Sequence, residues 1–218
     1  DVLVNLAQVP AGQFVMLKSL AFDPMHQEGG HAGHGGSGAA INWPDGAEIP
    51  LLKIAVDGKA VFTPVPLPEV LSRFDDIQVS SAKVRPWKLG WNGKDWLLNG
   101  KTFQMSEVVA TVSRNDVEIW ELQNESQGMP HPMHIHGFVF QVLSRQASPK
   151  QQAELAVDRF GRAASDLGWK DTVLVWPGES VRLAIDFKHP HAGAQTFMFH
   201  CHNLEHEDKG MMVNFRVA

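Results

Sequence analysis

Short runs in which apolar and polar residues alternate recur along the second two-thirds of this 218-residue chain, and turn residues separate them. Such runs predict β-strands, because successive side chains of a strand point to opposite faces of a sheet. Examples are VEIWELQN (117–124), HIHGFVFQVLS (134–144) and DTVLVWPGESVRLAIDF (171–187). Only SPKQQAELAVDRFGRAASD (148–166) is compatible with a short helix between strands. The pattern over 77–218 predicts an all-β sandwich or Greek-key barrel.

The first 76 residues have a different organisation. Strand-like runs at 1–22 and 49–58 flank a Gly-rich stretch at 23–47 that carries Met25, His26, His31 and His34. A stretch of this composition buries little apolar surface, and we expect a mobile loop. Proline-rich residues at 65–76 predict an extended linker. The expected domains are therefore 1–64 and 77–218.

Composition excludes several functions. The net charge of −5 argues against a nucleic-acid partner, since phosphate backbones call for a basic surface. No apolar run has the length of a membrane span. The single cysteine excludes an internal disulfide and leaves the redox compartment open. Because the chain opens on strand-like residues without an initiator Met, we expect a processed chain or a fragment.

Candidate chemistry is concentrated in two stretches, GMPHPMHIHG (128–137) and FHCHNLEHEDKGMM (199–212). Strand parity sorts their side chains, because residues two apart share a face. With the two strands side by side, Cys201 and His131 lie on one face. His206 and Met211 follow in a loop that can fold back over the cysteine. The opposite face carries four imidazoles, which are those of His134, His136, His200 and His202.

Each group matches a coordination preference. Two imidazoles, one thiolate and a weak axial thioether make a type 1 blue-copper site, and a set of imidazoles suits copper that binds oxygen species. Alternatives are a buried structural cysteine, a zinc site and a Cys–His nucleophile. Closed zinc sites commonly contain more than one cysteine, and a nucleophile needs neither the methionine nor the histidines beside Cys201. The combined spacing favours copper.

HPMHIHG and HCHNLEHEDKGMM resemble the two C-terminal copper motifs of the multicopper oxidases, which include laccases, bilirubin oxidases and bacterial cuprous oxidases. LLNGKTF and VEIWELQN resemble the last cupredoxin domain of that family, and residues 1–60 resemble the later part of its middle domain. The resemblance therefore implies a cupredoxin-like Greek-key β-sandwich preceded by the second half of another such domain. It also implies a ligand for each copper: His131, Cys201, His206 and Met211 for type 1, His134 for type 2, and His136, His200 and His202 for the type 3 pair.

The resemblance also implies that part of the catalytic machinery lies outside the chain. The family's trinuclear cluster takes four further histidines from an N-terminal domain, and we expect an N-terminal fragment of the same oxidase, as a separate chain, to complete it. His189 and His191 are expected on a surface turn instead. Gln127 stands where cuprous oxidases of the family often carry an acid, which weakens that assignment. Glu207 is a candidate proton relay beside His206, or a solvated acid.

The expected function is one-electron oxidation of phenols, anilines or cuprous ion, coupled to reduction of dioxygen to water. Electrons would enter at His206 or His131 and cross Cys201 to the catalytic His200 and His202. The alternatives are a mononuclear blue-copper electron carrier and a copper-storage protein. An electron carrier has no use for His134, His136, His200 and His202. Copper storage explains only the 23–47 stretch. That stretch could also be a loop that captures copper or gates access of substrate. By resemblance, the protein is expected in the periplasm or secreted.

Overall fold

The computed structural model describes residues 4–25, 43–44, 46–58, 66, 68–70, 72–125 and 128–218. The chain forms two compact units, one drawn from residues 1–73 and the other consisting mainly of Phe74–Ala218. Most of the 23–47 stretch, including His26, His31 and His34, lies outside the described residues, and so does Gln127. The predictions made for those positions therefore stay predictions.

In the first unit, the described residues contain one antiparallel pair, β1 (Phe14–Lys18) and β2 (Pro50–Ala55). Its apolar side chains are largely uncovered: Phe14, Leu17 and Leu52 are each more than half exposed. A two-stranded sheet is marginally stable by itself in water. This pair therefore lacks the apolar cover that an ordinary sheet has.

The second unit is a sandwich of two five-stranded sheets. One sheet has the order β4-β3-β6-β10-β8, and the other has the order β5-β12-β11-β7-β9. The strands are β3 (Lys83–Trp91), β4 (Trp96–Leu98), β5 (Val108–Val112), β6 (Val117–Asn124), β7 (His131–Ile135), β8 (Phe140–Gln146), β9 (Thr172–Val175), β10 (Ser180–Asp186), β11 (Gln195–Cys201) and β12 (Met212–Val217). The all-β prediction is confirmed.

Helical structure is limited to three short segments in the described residues. Helix α1 (Lys150–Ala153) and a 3₁₀ turn (Ala164–Asp166) fall inside the stretch for which a short helix was predicted. Helix α2 (Leu204–Asp208) lies between β11 and β12, where the sequence pattern predicted only a loop. None of the helices among the described residues is long and apolar enough to cross a membrane.

The core between the sheets is aromatic. Trp120 from β6 is fully buried, and its ring lies 5.0–5.2 Å from the rings of Trp87, Phe199 and Phe215. Aromatic pairs at this spacing add to the stability that buried area alone gives. Because Phe199 is two residues before Cys201 on β11, this cluster fixes the strand that carries the cysteine.

Candidate metal centre

Two neighbouring strands bring the predicted ligands together. Strands β7 and β11 pair antiparallel, with His134 opposite His200 and Met133 opposite Cys201. The His136 N–H, one residue beyond β7, donates to the Met198 carbonyl at 2.9 Å and extends the pairing. The predicted adjacency of these two segments is confirmed.

Gly137 ends the β7 segment. Its φ of +78° is a left-handed conformation, which favours glycine, and a Cβ there would meet the Phe197 ring at 2.5 Å. The chain therefore turns directly after His136 while β11 packs against the turn. This turn keeps His136 beside His200.

The first group of side chains has the donor set of a mononuclear metal site. Nδ1 of His131 and Nδ1 of His206 each lie 3.5 Å from the Sγ atom of Cys201 and 3.1 Å from one another. A point equidistant from the three atoms lies about 2 Å from each, which is an ordinary metal–ligand bond length. All three residues are buried. The residues present therefore fit a copper ion bound by two imidazoles and one thiolate.

Met211 is held against this group through the backbone. The Cys201 N–H donates to the Met211 carbonyl at 3.0 Å, and the Met211 N–H donates to the His206 carbonyl at 2.9 Å. Met211 is fully buried. Gly210, with φ +86°, makes the turn that returns the chain from α2 to Met211. The loop predicted to fold back over Cys201 does so.

Burial sets the protonation of the group in the absence of metal. It raises the pKa of the Cys201 thiol to about 12. Burial, followed by repulsion from His206, lowers the pKa of His131 to about 3. At neutral pH the site therefore holds a protonated thiol and a neutral imidazole, and a metal displaces the thiol proton on binding.

A second group of side chains lies beside the first. The ring nitrogens of His134, His136 and His200 that could bind a metal are all within 4.8 Å of one another, and Nε2 of His136 is 3.0 Å from Nε2 of His200. Burial, followed by repulsion from His200 and then His134, lowers the pKa of His136. Neutral imidazoles are metal ligands.

The outer nitrogens of these imidazoles contact other parts of the chain. Nδ1 of His134 lies 3.0 Å from the Asp171 carbonyl and 2.9 Å from the Thr172 hydroxyl. Nδ1 of His200 lies 3.0 Å from the Cys201 carbonyl and 3.4 Å from a Glu207 carboxylate oxygen. Such contacts fix the tautomer and the direction of a metal-binding imidazole. They leave Nε2 of both residues for a ligand.

His202 is less closely associated with the second group. It is exposed, and its ring lies 5.5 Å from that of His200 and 5.7 Å from that of His134. The structure places it next to the group, but its nitrogens are outside the set within 4.8 Å of one another. Its assignment as a ligand remains a prediction.

Comparison with known proteins identifies the family. A sequence profile of the multicopper oxidases matches residues 72–218. This chain belongs to the multicopper oxidase family. A multicopper oxidase of Staphylococcus haemolyticus is 33% identical over 165 residues, which cover 73% of this chain and 32% of that protein. A laccase of Bacillus subtilis is 33% identical over 159 residues, covering 66% of this chain and 30% of that protein.

The fold comparison agrees. The crystal structure of the McoA multicopper oxidase of Aquifex aeolicus superposes with a TM-score of 0.78 and 32% identity, over 98% of this chain and 42% of that one. The sandwich is therefore cupredoxin-like, as the resemblance implied. This multicopper oxidase chain spans about a third of the length of the two curated relatives named above.

Sequence reasoning missed three residues that support the first group. Trp96, from the β3–β4 hairpin, stacks on His206 with ring centroids 4.2 Å apart. Asn124 donates to the buried Met129 carbonyl at 2.7 Å, and Asn203 donates to the Pro130 carbonyl at 3.2 Å. Both amides thus hold the segment that leads into His131. Asn203 directly follows the HCH motif, so the sequence contained a signal that could have identified it. The contacts of Trp96 and Asn124 depend on the tertiary fold, and no local pattern indicates them.

Proposed function

We propose that this chain is the C-terminal part of a multicopper oxidase with laccase-like activity. It takes single electrons from phenols, anilines or cuprous ion at a type 1 copper, and it uses them to reduce dioxygen to water at a trinuclear cluster. An N-terminal part of the same oxidase, as a separate chain, completes that cluster. By family resemblance, we place the protein in the periplasm or outside the cell.

The single observation that carries this proposal is the position of Cys201 between the two groups. Its Sγ lies 3.5 Å from the Nδ1 atoms of His131 and His206, while the preceding residue, His200, has its Nε2 3.0 Å from that of His136. Copper bound by the first group supplies one-electron oxidation, and copper at the second supplies oxygen reduction. The β11 backbone gives an electron a short covalent path from the thiolate to His200, and equally to His202.

Glu207 is the proposed proton carrier for oxygen reduction. Its carboxylate is 3.4 Å from Nδ1 of His200 and about one-third exposed. It therefore connects solvent with the edge of the second group. Reduction of dioxygen to water consumes four protons with four electrons. A carboxylate at the edge of the second group can deliver these protons, whereas an acid elsewhere on the surface cannot.

The first unit supports the proposed partner. The uncovered apolar side chains of β1 and β2 belong to a two-stranded sheet that cannot build a core alone. Further strands supplied by an N-terminal part of the oxidase would cover them. The second histidine group likewise contributes three or four imidazoles of the eight that the family's cluster uses.

The alternative is a mononuclear blue-copper electron carrier. It is favoured by one observation: all the proposed type 1 donors, His131, Cys201, His206 and Met211, come from this chain and are buried. A carrier leaves unexplained why His134, His136 and His200 converge on the other side of the same strands.

Two variants of the assembled, copper-loaded protein separate these functions. Cys201→Ser should abolish the blue absorption and oxygen consumption while copper remains at the second group. His134→Ala should keep the blue absorption and lose oxygen consumption. His191→Ala, at an exposed imidazole outside both groups, is the matched control and should change neither. Blue absorption in Cys201→Ser would refute the type 1 assignment, and full oxygen consumption in His134→Ala would refute the role of the second group. An unmodified protein that is blue but consumes no oxygen would favour the carrier.

A further inference from the structure

The proposed type 1 imidazoles are closed off from water. His131 is fully buried, and His206 is 4% exposed, so the expected direct contact between a reductant and either ring is not available in this chain. An electron donor outside the protein therefore needs an intermediate group that reaches both solvent and a ligand.

Trp96 covers the type 1 group. Its indole stacks on His206 at 4.2 Å with an interplanar angle of 33°, and its edge-on contact with His131 is 5.0 Å between centroids. Trp96 is itself only 7% exposed. One indole thus contacts both imidazoles and orients them.

Trp91 extends this contact to the surface. Its ring lies 4.6 Å from that of Trp96, and it is 38% exposed. The two residues are direct partners across the β3–β4 pair, and the Asn92 side chain accepts hydrogen bonds from the Lys94 and Asp95 N–H groups in the connecting turn. The hairpin therefore holds the two indoles in a tilted stack, with 42° between the ring planes.

We propose that Trp91 is the surface contact at which aromatic reductants dock, and that the Trp91–Trp96 pair conducts their electrons to His206. This inference rests on the proposed oxidase function and deepens it. A phenol or aniline loses one electron and one proton. The copper that the His206 group would hold would accept the electron, the proton would go to a carboxylate or water, and both indoles would end unchanged. Because each ring contacts the next, the electron can pass from the reductant to His206 without oxidation of either indole.

The surroundings of Trp91 favour a reductant that carries an O–H or N–H group. The Glu125 carboxylate accepts the Trp91 backbone N–H at 3.4 Å, and it lies so close to Gly90 that an added Cβ would meet it at 2.7 Å. Glu125 is exposed. The carboxylate thus lies at the Trp91 backbone, on the Gly90 side of the strand, and can take up the proton that a phenol releases on oxidation, whereas cuprous ion releases none.

Docking is tested first in copper-free protein, so that no turnover is involved. The chain has seven tryptophans, and isotope labelling gives each indole N–H its own magnetic-resonance signal. Addition of phenol should shift the Trp91 signal and leave that of Trp169, an exposed indole outside this stack, in place. Trp91→Ala should weaken phenol binding by roughly two- to tenfold, the value of one aromatic pair. Binding unchanged in Trp91→Ala, or confined to the polar cleft bounded by Lys94 and Glu207–Gly210, would overturn the inference.

Electron entry is tested by anaerobic bleaching of the blue absorption in the copper-loaded, assembled protein. Trp91→Ala should slow bleaching by phenols more than bleaching by hexacyanoferrate(II), and Trp169→Ala should slow neither. Trp96→Leu should slow both donors, with Trp96→Phe restoring part of the rate. Equal rates in Trp91→Ala and Trp169→Ala would refute the entry route while the blue colour still upheld the type 1 site. Absence of blue colour in the unmodified protein would instead refute the proposed function.

Discussion

Replacement of Asn124 by alanine should destabilise the protein and weaken copper binding at the proposed type 1 site together. The Asn124 Nδ2 group donates to the Met129 carbonyl at 2.7 Å and to the Val175 carbonyl at 3.0 Å. Val175 pairs directly with His131 in the β7–β9 register. Asn124→Ala therefore releases strand β9 and the segment before β7 at the point where His131 enters the sheet.

The magnitude follows from burial. Met129 is 8% exposed and Val175 is fully buried, so water does not replace the lost donor at either carbonyl. A buried polar group without a partner costs roughly 1–3 kcal/mol. The Asn124 Oδ1 atom is itself buried without a hydrogen-bond partner among the described residues, and its removal recovers part of the loss. The net decrease in the free energy of unfolding should be about 2–4 kcal/mol, a large share of the 5–15 kcal/mol typical of a domain.

Asn214→Ala is the matched control. Its Nδ2 group also donates to two carbonyls, those of Met105 and Glu107, at 3.0 and 3.3 Å. Met105 is 85% exposed, so water satisfies its carbonyl in the variant, and the cost should be about 1 kcal/mol or less.

Denaturant unfolding of the metal-free proteins gives the two free energies, and copper competition with a chelator gives the two affinities. We expect Asn124→Ala to lose more stability than Asn214→Ala and to be the variant that loses type 1 copper affinity. Equal stability losses, or undiminished copper affinity in Asn124→Ala, would refute the reasoning.

Two further predictions concern a buried charge network. Arg145 donates to Asp166 at 2.8 and 2.9 Å and to Glu179 at 3.0 Å, and all three side chains are buried. Arg145→Met should therefore cost about 3–5 kcal/mol in thermal or denaturant unfolding. Arg162→Met, which breaks the partly exposed pair with Asp158, should cost less, and equal losses would contradict this expectation. Burial alone would raise the pKa of Asp166, but hydrogen bonds and charge from Arg145 outweigh it and hold that pKa below the ordinary value. The stabilisation from this pair is therefore fully present above the ordinary aspartate pKa of about 4, and it is lost as pH falls through the lower, folded value. The free energy of unfolding, measured against pH, should decrease below about pH 4. Arg145→Met should abolish this pair's share of that decrease.

Strand periodicity explains how much of the site could be predicted. A period of two places His131 and His134 on opposite faces of one strand, and Cys201 and His200 on opposite faces of another, whatever the rest of the fold does. The pairing of β7 with β11 then brings the faces together, as expected. The two motifs are far apart in sequence, but each could be interpreted from its own residue spacing.

The parts that could not be predicted depend on distant contacts. Trp96 reaches His206 from a hairpin 110 residues earlier, and no local pattern marks that approach. Helix α2 is a single short turn between the HCH motif and Met211, stabilised by its position rather than by its length. The near-complete burial of His131 and His206 also follows from packing, and it motivates the proposed entry of electrons at Trp91.

The central claim is that this chain alone contains every donor of one thiolate–copper site and only part of a second copper cluster. The most direct test is a copper titration of the purified 218-residue chain, with bound copper counted and visible absorption recorded at each step. The account predicts that the first equivalent develops the intense blue thiolate-to-copper absorption and that the absorption stops rising after it. A first equivalent that binds without blue colour, or colour that never develops at any copper level, would contradict it.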